Sequence, residues 1–215
     1  TTTDAIAAQK TSAITGVDAS ISATIAASTT VDGTSFTLTN SSNQTTGGAD
    51  NFTGTSGDDT FLAVADQALD NGDVINGGAG TDTLTARYAV DGDTTINTSL
   101  TNVENFVIDT DEGAAADHEL NIAVAFTGLE EVRVKDAVAT DGAGTDDINV
   151  TSIALGVDVA IENGDGSFDV DFAYASVTGT SDAATMNLAS SDAETVTIAG
   201  IETLTINGES GDSDI

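Results

Sequence analysis

Apolar and polar residues alternate along most of this chain, and long helical patterns are few. Residues 35–39, Ser-Phe-Thr-Leu-Thr, alternate as expected of a strand with one buried face. Three longer segments share the order apolar-x-x-apolar-Glu-x-apolar-x-apolar and end in a short alternating stretch: 100–108, 126–134 and 198–206. Because every long apolar pattern has period two, the sequence predicts an all-β protein.

The alternating stretches recur at nearly constant spacing. The apolar pairs Phe106/Ile108, Val132/Val134, Val159/Ile161 and Met186/Leu188 are 26, 27 and 27 residues apart, and Leu204/Ile206 follows after 18. A period in this range is typical of a solenoid, in which each rung stacks on the one before it. We therefore predict a parallel β-solenoid with rungs of about 26 residues over 87–215, continuing beyond this fragment. An antiparallel sandwich with evenly spaced strands is the alternative.

Residues 45–85 contain four copies of a nine-residue pattern rich in glycine and aspartate. The last copy, Gly-Gly-Ala-Gly-Thr-Asp-Thr-Leu-Thr at 77–85, fits G-G-x-G-x-D-x-U-x, the calcium-binding nonapeptide of parallel β-rolls. The copies at 45–53, 54–62 and 68–76 keep parts of this pattern. Glycine lets the backbone turn tightly with its carbonyls inward, and aspartate adds an anionic oxygen of the kind that Ca2+ prefers. The pattern predicts β-roll turns that bind calcium.

Two nonapeptides form one coil of roughly 18 residues in a β-roll, so turns one coil apart stack along one edge. Here the two coils are offset by the five residues 63–67, which we interpret as a bulged insertion. This offset places Asp50 next to Asp73, and Asp59 next to Asp82. We predict one Ca2+ between the members of each pair, completed by carbonyl oxygens near Gly48, Gly57 and Gly80. The alternative is that these are ordinary Gly/Asp turns without an ion.

Other acidic positions are candidates of a similar kind. Residues 141–148 nearly repeat the nonapeptide, and Asp146 stands at the aspartate position as a further calcium ligand. Glu104, Glu130 and Glu202 each precede a predicted strand. They form either a ladder of cation ligands or a set of turn residues whose carboxylates accept backbone N–H donors, and we favour the second interpretation.

The composition excludes several classes of function. The chain carries 36 acidic and 4 basic residues, a formal net charge of -32, which disfavours nucleic acid and anionic membranes as partners. It has no cysteine, and His118 is its only histidine, which excludes thiolate and multi-histidine metal sites. No serine stands in a G-x-S-x-G context, and no apolar run approaches the ~20 residues that span a bilayer. We therefore expect no enzyme, no nucleic-acid partner and no membrane insertion.

Residues 50–61 and 69–84 closely resemble the calcium-binding region of RTX-type (hemolysin-type) bacterial S-layer proteins. The Val-Glu-Asn-Phe and Ile-Glu-Thr-Leu units at 103–106 and 201–204 resemble their repeated strands. The resemblance implies type I secretion to the surface of a Gram-negative bacterium, where calcium drives folding and lateral assembly into a two-dimensional lattice. It also implies that any attachment to cell-surface polysaccharide uses a domain outside this fragment.

These observations predict three regions: a linker with leading strands at 1–44, RTX-like calcium-binding coils at 45–86, and the solenoid at 87–215. Our hypothesis is a structural, self-assembling S-layer segment whose partner is a second copy of itself, in a lattice or a filament. Two alternatives stay open. One is an RTX adhesin or filament module that binds a sugar or a host surface, and the other is the non-catalytic β-roll of a secreted hydrolase.

Overall fold

The computed structural model describes residues 31–39, 49–65, 68–69, 72–88, 94–96, 98–110, 118–122, 126–136, 146–164, 168–190 and 195–208. These residues form seventeen β-strands and no helix, which confirms the all-β prediction. The strands are β1 (Ser35–Thr37), β2 (Asn51–Thr53), β3 (Thr60–Ala63), β4 (Val74–Asn76), β5 (Thr83–Arg87), β6 (Thr94–Thr95), β7 (Ser99–Thr101), β8 (Asn105–Asp109), β9 (His118–Asn121), β10 (Phe126–Thr127), β11 (Glu131–Lys135), β12 (Asp146–Ile153), β13 (Asp158–Glu162), β14 (Phe168–Tyr174), β15 (Ala183–Ala189), β16 (Thr195–Ala199) and β17 (Thr203–Gly208). Within these ranges, no helix with the length and apolar character of a membrane span occurs.

The strands belong to one compact unit, Gly33–Ile215, and assemble into three sheets. Sheet A has the order β1-β3-β5-β8-β11-β13-β15-β17, sheet B has β10-β7-β4-β2, and sheet C has β16-β14-β12-β9-β6. Neighbouring strands in a sheet are separated in the chain by a strand of another sheet, and every described pair is parallel. This arrangement is a β-solenoid, and its parallel pairing overturns the sandwich alternative.

The register of sheet A follows the sequence spacing over three rungs. Phe106 pairs with Val132, Val132 with Val159, and Val159 with Met186, as the spacing predicts. The last rung differs, because Met186 pairs with Ile206, 20 residues later, and not with Leu204. The carbonyl of the residue before β15 explains this shift, since it accepts the N–H groups that begin β17 and so sets where that strand starts. The prediction of a spacing of 18 was therefore wrong.

Inward-facing side chains of all three sheets form one apolar core. In β5 the buried positions alternate with half-buried ones, as a strand with one face against a core requires. Phe106 of sheet A, Leu100 of sheet B and Val150 of sheet C belong to the same cluster. Phe106 also meets Phe126 edge to face, with ring centroids 5.7 Å apart. Burying one such side chain stabilises the fold by about 1.5–3 kcal/mol, so each rung that stacks contributes to holding the next.

Three of the chain's four basic residues, Arg87, Arg133 and Lys135, lie in strands of sheet A at half-buried positions that alternate with the core residues. The guanidinium of Arg133 bridges two carboxylates, with Nη1 2.8 Å from Glu162 Oε2 and Nη2 2.9 Å from Glu131 Oε1. Cross-strand pairs of opposite charge favour one register over its neighbours. The few cations of this acidic chain are thus concentrated where strands must align.

Candidate functional site

The predicted stacking of the acidic turns is confirmed. Asn51 pairs with Val74 and Thr60 with Thr83, so the aspartate before each of these residues lies one rung from its counterpart. Two hydrogen bonds join the counterparts directly. The N–H of Asp50 donates to Asp73 Oδ1 at 2.8 Å, and the N–H of Asp59 donates to Asp82 Oδ1 at 2.7 Å.

The Asp59 and Asp82 turns belong to a ladder of carboxylates along one edge of the solenoid. Asp59 Oδ1 accepts the N–H of Thr34 at 2.6 Å, one rung earlier. Asp82 Oδ1 accepts the N–H of Asp59, and Glu104 Oε2 accepts the N–H of Asp82 at 2.8 Å. Each carboxylate therefore satisfies a backbone donor of the rung before it, and each bond of this charge-assisted kind is strong.

This ladder confirms the favoured interpretation of the repeated glutamates at two positions. Glu104 acts as a turn residue that accepts a backbone N–H, and Glu202 does the same for the N–H of Asp182 at 2.8 Å. Glu130 takes part through its own N–H, which donates to the carbonyl of Glu104 at 2.8 Å.

The two best-described carboxylates differ in how their oxygens are used. Asp59 is buried, yet its Oδ2 accepts the N–H of Thr55, a residue that stands at a glycine position of the nonapeptide. Burial pushes the pKa of Asp59 upward, but the bonds from Thr34 and Thr55 outweigh it and hold that pKa below its usual value. Both oxygens of Asp59 are thus occupied.

Asp82 is 0% exposed, and its Oδ2 has no hydrogen-bond partner within the described part of the chain. Burial is the main cause that raises the pKa of Asp82, and the negative charges of Glu104, Asp59 and Asp58 add to it. The hydrogen bond from Asp59 N–H only partly offsets these effects. Asp82 therefore combines a high acid pKa with a vacant acceptor oxygen.

Glycine is required around this oxygen for a steric reason. A Cβ on Gly77 would collide with the carbonyl oxygen of Asn102 and with Asp82 Oδ2. Gly78 and Gly80 have φ values of +107° and +131°, which L-residues with side chains rarely adopt. A backbone carbonyl and a carboxylate oxygen thus approach the same side of Gly77.

The oxygens present fit a hard cation at the Asp82 turn better than at the Asp59 turn. A vacant carboxylate oxygen beside the carbonyl of Asn102 is a donor set of the type that Ca2+ accepts. No group of three or more His, Cys, Asp or Glu side chains that could hold a metal occurs in the part of the chain that the structure describes. A calcium ion here would take most of its ligands from backbone carbonyls, and the ion between each aspartate pair stays a prediction.

The remaining predicted ligands are placed as follows. Gly57 is buried, and its carbonyl oxygen lies 2.7 Å from where a Cβ on Gly80 would be, so these two glycines stack on successive rungs. The backbone of Asp146 begins β12 and pairs with Phe168. Gly48 and residues 141–145 lie outside the described residues.

Sequence reasoning did not single out Asp182, although its surroundings repeat those of Asp82. Each of these aspartates donates its N–H to a glutamate, at 2.8 Å in both cases. Each also has an Oδ2 that is buried and without a partner among the described residues. The signal was present in the chain, because Thr-Gly-Thr-Ser at 53–56 recurs at 178–181, directly before Asp182.

These turns are the feature of the molecule with the clearest chemical potential. They combine buried carboxylates, converging carbonyls and glycine-dependent geometry along one edge of a parallel solenoid. Comparisons of the chain with protein-family models, with curated proteins and with solved structures gave no match.

Proposed function

We propose that this chain is a structural, non-enzymatic segment of a self-assembling extracellular protein of the S-layer type, and that Ca2+ stabilises its acidic turns. The observation that carries the proposal is Asp82 Oδ2, a buried carboxylate oxygen without a hydrogen-bond donor among the described residues. Buried polar atoms in folded proteins are nearly always satisfied. A vacant one beside a carbonyl oxygen favours a cation as its partner.

Electrostatics supports the same proposal. Asp59, Asp82 and Glu104 occupy successive rungs of the ladder, and neighbouring rungs of a sheet are about 4.8 Å apart. At an effective dielectric constant of about 20, two unit charges at that separation repel by about 3.5 kcal/mol. Bound Ca2+ would supply the opposite charge at this edge. The net charge of -32 adds a diffuse repulsion that cations also relieve.

The residues that would hold the ion are Asp82, through Oδ2, and the backbone carbonyls of neighbouring turns. Asp59 contributes to the framework, because its carboxylate orders the Thr34 and Thr55 backbone around the turn. The N–H bonds of the ladder keep Asp82 oriented whether or not a cation is present. We expect the Asp82 turn to bind more tightly than the Asp50/Asp73 turn, which departs further from the nonapeptide.

The resemblance of 50–61 and 69–84 to RTX-type S-layer proteins supports the cellular setting. It favours type I secretion to a bacterial cell surface, assembly of like copies into a lattice or filament, and polysaccharide attachment through a domain outside this sequence. The parallel solenoid suits such a role, because stacked rungs form a stiff body whose stability adds from neighbour to neighbour.

Paired far-UV circular dichroism and light scattering test the proposal, on the purified chain in millimolar Ca2+ and in excess chelator. We expect chelation to reduce the β-sheet signal and to disperse assemblies. Mg2+ at the same concentration is the control, since it demands near-ideal octahedral geometry and should not replace Ca2+ at turns built from carbonyls. A β-sheet signal and a scattering intensity that stay the same in Ca2+ and chelator would refute the calcium dependence.

A further inference from the structure

The last strand of sheet A, β17, presents an open edge. Among the described strands it pairs only with β15. Its inward positions Leu204 and Ile206 are 41% and 49% exposed, whereas the equivalent Met186 and Leu188 of β15 are buried. The end of the solenoid therefore combines a row of backbone donors and acceptors with an apolar surface that the rung before it has covered.

Proteins usually protect such an edge with lysine, proline or an inward-pointing charge. β17 reads Thr-Leu-Thr-Ile-Asn-Gly at 203–208 and contains none of these. β16, the last strand of sheet C, reads Thr-Val-Thr-Ile-Ala at 195–199 and is also uncharged. In a chain of net charge -32, both strands at this end of the solenoid lack the charge that keeps like copies apart.

The order of residues in β17 is nearly symmetric about Thr205. We propose that β17 pairs antiparallel with β17 of a second copy of this chain, around a two-fold axis at Thr205. In that register Leu204 faces Ile206 of the second copy on the core side, and Thr205 faces its own equivalent on the outer side. Apolar residues then oppose apolar ones and polar residues oppose polar ones, which is the arrangement that stabilises cross-strand pairs.

A head-to-tail contact with β1 of another copy fits less well. β1 is only three residues long and has one apolar residue, Phe36, against the two that β17 leaves exposed. A two-fold contact instead matches β17 to a strand of its own length and pattern, and isologous contacts of this kind are the commonest in homo-oligomers. The inference rests on the self-assembly in the proposed function and names one of its contact surfaces.

Charge reversal at the axis tests this register. Thr205→Lys and Thr205→Glu each place two like charges opposite one another in the dimer, whereas an equimolar mixture places Lys opposite Glu. By sedimentation velocity, we expect the unmodified chain to dimerise, each variant alone to dimerise about tenfold more weakly or not at all, and the mixture to regain dimer. Thr185→Lys on β15 is the matched control. Its two copies would be about three strand spacings apart, or roughly 14 Å, beyond the Debye length at physiological salt.

The outcomes separate this inference from the calcium proposal, since each variant is measured in Ca2+ and in chelator with circular dichroism alongside. A chain that folds but sediments as a monomer at every concentration would overturn the β17 contact and leave calcium-dependent folding standing. Variants that dimerise as well alone as in mixture would also overturn it, in favour of another contact such as β17 on β1. Rescue by mixing in a chain indifferent to Ca2+ would support the contact and refute the calcium proposal.

Discussion

Asp82→Asn separates a calcium ligand from a carboxylate that only satisfies a turn. Asparagine keeps an Oδ1 that can accept the N–H of Asp59, a bond of 2.7 Å in the structure. It replaces Oδ2 by an NH2 group, which carries no charge and cannot ligate a cation. If Asp82 were purely structural, the variant and the unmodified chain would respond to Ca2+ alike.

The expected size of the effect follows from linkage. A site filled at 100 times its Kd stabilises the folded state by about 2.7 kcal/mol, and the variant should lose this increment. In a unit of this size, 1 kcal/mol shifts Tm by about 2–4 °C, so the rise in Tm on adding Ca2+ should shrink by about 5–11 °C. In chelator the variant should be no less stable than the unmodified chain. Burial and the charges of Glu104 and Asp59 raise the pKa of Asp82, and asparagine carries no charge to be penalised.

Thermal unfolding followed by circular dichroism, in Ca2+ and in chelator, measures both quantities. Asp171→Asn is the matched control, because it removes the same charge from an exposed position of β14. The control should keep the full calcium-induced rise in Tm. An Asp82→Asn variant whose rise in Tm equals that of the unmodified chain would refute the assignment of Asp82 as a ligand.

Three further predictions test the framework around the turn. Gly77→Ala should lower the free energy of unfolding by about 1–3 kcal/mol in urea titrations, because the new Cβ collides with the Asn102 carbonyl; Gly208→Ala, with nothing within 4 Å, should have little effect, and equal losses would contradict this. Arg133→Met should cost about 1 kcal/mol at low salt and less at high salt, since it leaves two glutamates unpaired; a loss that does not change with salt would argue against an electrostatic role. Burial raises the pKa of Tyr174 to about 12, so stability should be full below the ordinary pKa of 10.0 and decline as the pH rises from there toward 12; ultraviolet titration showing an ordinary pKa for both tyrosines would contradict this.

Much of the fold could be predicted because a solenoid repeats its chain length as well as its pattern. Val132 and Val159 are 27 residues apart and pair directly, since equal rungs return the chain to the same position. The same reasoning placed Asp59 one rung from Asp82, through an offset visible as five inserted residues. Where a rung changed length, at Met186 and Ile206, the pattern alone misled by two residues, because the apolar alternation is the same in either register.

The direction of the carboxylates could not be predicted in the same way. Sequence placed Asp59 and Asp82 together, but only the structure shows that one has both oxygens occupied and the other has one vacant. That difference arises from Thr55, whose N–H reaches the carboxylate only because the turn folds back on itself. Sequence also contained the Thr-Gly-Thr-Ser repeat before Asp182, whose significance becomes visible only when the turn is seen beside Glu202.

By itself, then, the sequence determined the strand period, the parallel stacking and the pairing of the acidic turns, since these depend on spacing along the chain. The tertiary structure decided which carboxylate oxygens are satisfied, where the last rung begins, and that β17 ends the solenoid with Leu204 and Ile206 exposed. These properties depend on the path of each turn and on what the neighbouring rung leaves uncovered, and a one-dimensional pattern carries neither.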